Sequence, residues 1–262
     1  MVCLVEVRRS VSWVRILCMT AGCASAAVTS ACGASGPNST VAPRVPANGG
    51  VASAGAVPTS PLPSSAARRI SYAALGASET AGVGAHPLDH GYAYLVHDSL
   101  DGSVDAFADT GIPGATLAEA QQTELNRALA IHPTVCTMFF GVNDIRAGVA
   151  LSDFTAALAD SVATLRRTGA NVLVIGIPSL SQLPALRYPS RSNLDEMTRD
   201  WNEAMRTVAA RTGAAFLSLE QFSGEISSHP EYLSPDGLHP SNAGHQRLAE
   251  VILAALRSEH FV

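Results

Sequence analysis

The stretch ISYAALGASET, Ile70 to Thr80, decides how the rest of the chain is read. Its first seven residues form a short apolar run of the kind that makes a strand buried on both faces. Directly behind that run, Ser78 stands among small residues. A serine there is ordinarily a turn or capping residue, because its hydroxyl bonds nearby backbone. It is also where a nucleophile would stand if the run is a strand of a parallel sheet, since reactive groups collect at the carboxyl ends of such strands.

Four further apolar runs follow: SVDAFAD (103–109), TVCTMFFG (134–141), NVLVIGIP (171–178) and AAFLSL (214–219). Amphipathic helical patterns fall between and after them, at about 88–100, 116–131, 152–168, 192–212 and 242–257. Strands that alternate with helices need crossover connections, and these are right-handed. The pattern therefore predicts an α/β domain, residues 68–262, with one five-stranded parallel sheet covered on both faces. No internal repeat and no second domain is visible.

Upstream the composition changes. Residues 1–32 have the layout of an export signal, with Arg8, Arg9 and Arg15 ahead of the small, apolar run ILCMTAGCASAAVTSAC. That run is too short and too rich in Ala and Ser for a spanning helix. Its end, VTSACG, resembles the lipobox of bacterial lipoproteins, with Cys32 as the lipid acceptor; TAGC, ending at Cys23, is a second candidate, and cleavage without lipidation is the alternative. Residues 33–67 are nearly all Gly, Pro, Ser, Ala, Thr and Val with no period, which predicts a disordered tether. An exported protein, extracellular or held at the cell surface through Cys32, is the expectation.

The formal net charge of −5 supplies no basic field for a phosphate backbone, so nucleic acid is not an expected partner. All 17 basic residues are Arg. The absence of Lys excludes a P-loop lysine and a Schiff-base lysine. Four of the five cysteines crowd the first 32 residues and Cys136 lies in an apolar run, so no disulfide framework is expected.

Polar or backbone-exposing residues follow four of the segments. Ser78 comes two residues after the first strand, Gly114 in TGIPGAT after the second, and Asn143 in FFGVNDI after the third; Asp236 and His239 in SPDGLHPSN precede the last helix. Each has a plain structural reading as a turn, cap or loop residue. Together they fit one chemistry. A serine hydroxyl becomes a nucleophile when a base takes its proton, and histidine titrates in the right range. A carboxylate then orients the imidazole and stabilises the imidazolium, and preset N–H donors receive the charge that develops on a carbonyl oxygen.

The blocks GASET, PGAT, GVND and DGLH, in that order, resemble the four sequence blocks of the SGNH hydrolases, also called GDSL esterases and lipases, and the resemblance spans about residues 70–255. It implies a flavodoxin-like three-layer α/β/α sandwich. It implies Ser78 as nucleophile and first oxyanion donor, Gly114 and Asn143 as the other donors, His239 as base and Asp236 as its orienting partner. The family's usual Asp ahead of the nucleophile is Ala77 here, which implies altered loop support and not a lost triad member. The implied activity is cleavage of small-molecule, lipid or glycan esters through an acyl-enzyme, by a monomer, with no metal and no organic cofactor. A transacylase that passes the acyl group to a sugar or lipid hydroxyl is the alternative within the same chemistry, and a surface-tethered binding protein with an idle triad is the alternative outside it.

Three other groupings bear on the site. Asp236, His239 and His245 offer a metal-binding alternative. His86 and His90, in GAHPLDHG, belong either to a pocket wall or to a solvated loop. The segment SLSQLPALRYPSRSN (179–193) follows the fourth strand and is a candidate wall of the pocket.

Overall fold

The computed structural model describes residues 69–262 apart from 101 and 187–189. The export signal, both candidate lipid acceptors and the tether lie outside the described residues. Five strands, β1 (Ile70–Gly76), β2 (Val104–Asp109), β3 (Val135–Phe139), β4 (Asn171–Ile175) and β5 (Ala215–Leu217), form one sheet in the order β2-β1-β3-β4-β5. Every pairing is parallel. The fold is the flavodoxin-like α/β/α sandwich.

All residues of β1 and β3 are buried, as central strands of a sheet with two covered faces must be. β1 lies between β2 and β3, so the chain turns one way across the sheet after β1 and the other way after β2. Connections leaving the carboxyl ends of β1 and β3 therefore diverge to opposite faces, and the crevice between them is where ligands bind in open α/β sheets.

Among the described residues seven helices flank the sheet: α1 (Tyr92–Ser99), α2 (Leu117–Leu129), α3 (Val142–Ala147), α4 (Leu151–Arg167), α5 (Arg191–Thr212), α6 (Glu220–Ile226) and α7 (Asn242–Ser258). α1 packs with α7, while α4 packs with α2 and α5. The α4 contact is a stripe of Phe154, Leu158, Val162 and Leu165, spaced to fall on one face, each side chain stabilising the fold by about 1.5–3 kcal/mol through burial. Cys136 is free and buried in β3, and burial pushes its thiol up to about 12, so it is an inert packing residue.

The predicted helix at 88–100 is not continuous. Residues 88–90 form a single 3-10 turn, Gly91 is extended, and α1 starts at Tyr92. The fifth strand is shorter than its apolar run, with Leu219 leading into α6 instead.

Candidate functional site

The last polar loop is the most locally determined part of the site. Its neck is closed by hydrogen bonds from Ser241 N–H to the Tyr232 carbonyl (2.9 Å) and from Ser234 N–H to the His239 carbonyl (2.8 Å). Inside it, Asp236 Oδ1 accepts from the Ser234 hydroxyl (2.8 Å) and from the N–H groups of Leu238 (2.9 Å) and His239 (3.0 Å). Asp236 Oδ2 stands 2.6 Å from His239 Nδ1. Burial alone would raise the Asp236 carboxyl, but the bonds from the His239 ring and from the Leu238, His239 and Ser234 donors outweigh it and hold the group well below the usual carboxylate range. A carboxylate facing Nδ1 fixes the proton there and leaves the Nε2 lone pair as a base. His239 Nε2 has no hydrogen-bond partner among the described residues.

Ser78 lies in a tight turn after β1. The Ala81 N–H reaches the Ala77 carbonyl (3.1 Å) and the Val83 N–H reaches the Ser78 carbonyl (2.9 Å). The Ser78 hydroxyl donates a long hydrogen bond of 3.3 Å to Glu79 and none to His239. Behind this turn, the Gly76 N–H donates to Oε2 of Glu124 (2.9 Å), a fully buried residue of α2 whose other oxygen has no partner among the described residues. Burial pushes the Glu124 carboxyl up to about 7.

Gly114 sits in the turn after β2 at φ +83, a left-handed conformation that glycine adopts without strain. That turn is tied to β1 by the bond from Ile112 N–H to the Gly76 carbonyl (3.1 Å). Asn143, in the first turn of α3, donates one amide N–H to the Ala115 carbonyl (3.1 Å), and Asp144 Oδ1 accepts from Leu117 N–H (3.0 Å). These two bonds fasten the start of α3 to Ala115, beside Gly114, and to the first residue of α2. Neither the Ser78 nor the Gly114 N–H donates a hydrogen bond among the described residues, and the second amide hydrogen of Asn143 is unclaimed there too.

The serine turn and the histidine loop meet along a seam. Asn242 grips the His86 backbone from both sides, accepting from its N–H (2.7 Å) and donating to its carbonyl (2.9 Å). Gly84, at φ +95, packs main chain to main chain: a Cβ there would stand 2.1 Å from the Pro240 carbonyl oxygen. His245 is fully buried and bonds the backbone through both ring nitrogens, so its lone pair is not offered to Asp236 and His239 and the metal-binding grouping is not assembled. His86 and His90 are exposed and belong to the solvated loop.

An apolar cleft lies beside the site, lined by Phe139, Leu183, Phe222 and Leu238 among others, with Glu79 and Pro240 at its edge. Its free volume of about 20 Å³ is room for about one water. Leu183 comes from the 179–193 segment, which thus supplies a wall; it also touches the histidine loop, where Ala185 N–H donates to the Gly237 carbonyl (3.1 Å). A larger concavity of about 520 Å³ lies at the β5 edge between Phe216, Gln221 and Arg247 and contains none of the predicted site residues. Its Arg247 is paired with Glu225 through Nε and Nη2 (2.7 and 2.8 Å) and with Glu250 through Nη1 (3.1 Å).

Sequence reasoning did not single out Glu124 or Asn242, and assigned His245 no structural part. Their partners stand 48 or more residues away in the chain, and no local pattern marks such contacts.

The model of the GDSL-like Lipase/Acylhydrolase family matches residues 74–247. Among solved structures, TesA is 25% identical and superposes with a TM-score of 0.59 over 72% of this chain and 98% of its own. A catalytic mutant of Axe2, an acetylxylan esterase from Geobacillus stearothermophilus, is 19% identical with a TM-score of 0.60 over 71% of this chain and 94% of its own. The psychrotrophic esterase EstA from Pseudoalteromonas sp., in a structure inhibited by monoethylphosphonate, is 19% identical with a TM-score of 0.56 over 72% and 97%. The last two likenesses speak to fold. No curated protein matches the sequence.

Proposed function

This chain belongs to the GDSL-like lipase/acylhydrolase family, and from that premise we propose that it hydrolyses carboxylic esters through an acyl-enzyme on Ser78. His239 Nε2 takes the hydroxyl proton as Ser78 Oγ bonds the ester carbonyl carbon, and returns it to the departing alcohol. Water then repeats the sequence on the acyl-enzyme and frees the acid and the serine. Asp236 holds the imidazole and stabilises its charged form. The Ser78 and Gly114 N–H groups and the free amide hydrogen of Asn143 are the donors for the oxyanion, each worth on the order of 3 kcal/mol in the transition state. The Ser78 hydroxyl has to leave Glu79 for His239, and catalytic hydrogen bonds of this kind tighten when substrate arrives.

The observation that carries this reading is the Asp236–His239 pair at 2.6 Å, with Nε2 left without a partner among the described residues. The reading is tested with p-nitrophenyl acetate and butyrate: the wild-type protein hydrolyses them and Ser78→Ala does not, whereas equal rates would remove Ser78 from the mechanism. An added sugar or lipid alcohol that collects the acyl group would turn the hydrolase into a transacylase. Export and lipid attachment at Cys32 are proposed on the pattern of residues 1–32, and Cys32→Ser should release the mature protein from the membrane fraction.

A further inference from the structure

His245 lies in the first turns of α7, six residues beyond His239, and makes no contact with solvent. Its Nδ1 stands 3.2 Å from the Tyr92 N–H and its Nε2 stands 3.0 Å from the Val83 carbonyl. An N–H only donates and a carbonyl only accepts, so Nδ1 carries the lone pair and Nε2 the proton. The ring is therefore neutral and in one tautomer.

Both partners are backbone groups that regular structure leaves open. Tyr92 is the first residue of α1, whose N-cap, Gly91, provides no side-chain acceptor. Val83 belongs to the serine turn, and its own N–H is bonded to the Ser78 carbonyl at 2.9 Å. A chain of contacts thus runs from the Ser78 carbonyl to the Val83 N–H, across the Val83 backbone to its carbonyl and the His245 ring, and along the backbone from His245 to His239.

We propose that His245 is a positioning residue that sets the spacing between the Ser78 hydroxyl and the His239 imidazole, acting through the Val83 backbone. This rests on the reading of Ser78 as nucleophile. An apolar side chain of the same volume would fill the space but release Val83, and with it the turn that presents the hydroxyl. A misplacement of about 1 Å between reacting groups lowers a rate roughly 10²-fold.

The test uses the full chain and two readouts: ester kinetics, and the rate at which a fluorophosphonate labels Ser78, which needs no knowledge of the natural substrate. His245→Phe keeps a ring and removes both hydrogen bonds; His245→Gln has an acceptor and a donor at its tip. H245F is expected to lower kcat and the labelling rate by roughly 10²-fold with KM nearly unchanged, and H245Q to recover most of the loss. If H245F does not fold, H245Q is compared with H245N, whose shorter side chain reaches only one partner and must label more slowly. Wild-type labelling rates in the folded variants would overturn the proposal, as would losses that follow only the folded fraction measured by circular dichroism. Wild-type protein that is not labelled on Ser78 would instead overturn the ester hydrolase reading itself.

Discussion

Two carboxyl groups serve the two sides of the candidate site, and the protein treats them oppositely. Asp236, half-exposed on the histidine loop, receives four hydrogen-bond donors, all from residues within three of it in the chain and one of them the His239 ring. Glu124, buried beneath the serine turn, has one oxygen on the Gly76 N–H, a distant contact with Thr110, and one oxygen without a partner among the described residues. The first is held ionised; the second is pushed up to about 7 by burial. The difference shows that the histidine side of the candidate site is wired locally, whereas the serine side is assembled from distant elements, with one Glu124 oxygen unpartnered among the described residues.

Four measurements bear on that contrast. The largest effect is expected from Asp236→Asn, which keeps the shape of the loop but presents the wrong partner to Nδ1: kcat for a short-chain p-nitrophenyl ester should fall by about 10²–10⁴-fold. A fall of less than tenfold would mean that the local wiring does not serve the base. Next comes Asn143→Ala, which removes a donor and releases the Ala115 carbonyl; kcat should fall by about 10²–10³-fold and stability by about 1 kcal/mol. An unchanged kcat would take Asn143 out of the oxyanion site.

The third tests the buried acid. A carboxyl whose folded pKa is raised contributes stability that is whole below its ordinary value, 4.5, and is lost as pH rises through about 7. Glu124→Gln cannot ionise, so its unfolding free energy relative to wild type should climb between those pH values, by on the order of 3 kcal/mol. A difference that stays flat in urea titrations across this range would show that Glu124 is ionised at no cost. The smallest effect concerns His245, whose pKa burial lowers below 6.5. Its contribution to stability is whole above 6.5 and is lost as pH falls through the lowered value, and the H245Q protein should lack that part of the acid slope.

The same contrast explains what the sequence discloses. The strands are legible because a two-faced sheet needs continuous apolar runs, and the Asp236–His239 pair is legible because both residues and their donors share one short loop. α3 and α6, of six and seven residues, are too short to display a helical period. Gly91 breaks the first predicted helix although the apolar spacing runs through it. The grips of Asn242 on His86 and of His245 on Val83 span 156 and 162 residues and exist only once the sheet has brought α7 beside the serine turn. Ala77 stands where the family's usual Asp is expected, and the described support of that turn comes instead from Glu124 on α2 and His245 on α7.

At Gly84 the polypeptide runs against the Pro240 carbonyl with no side chain between them. A gap bounded by two backbones is insensitive to the shape of nearby side chains. Repacking the interior far from this contact should therefore change how many molecules are folded without changing how fast each folded one turns over, and only an atom added at Gly84 itself would act as a shim.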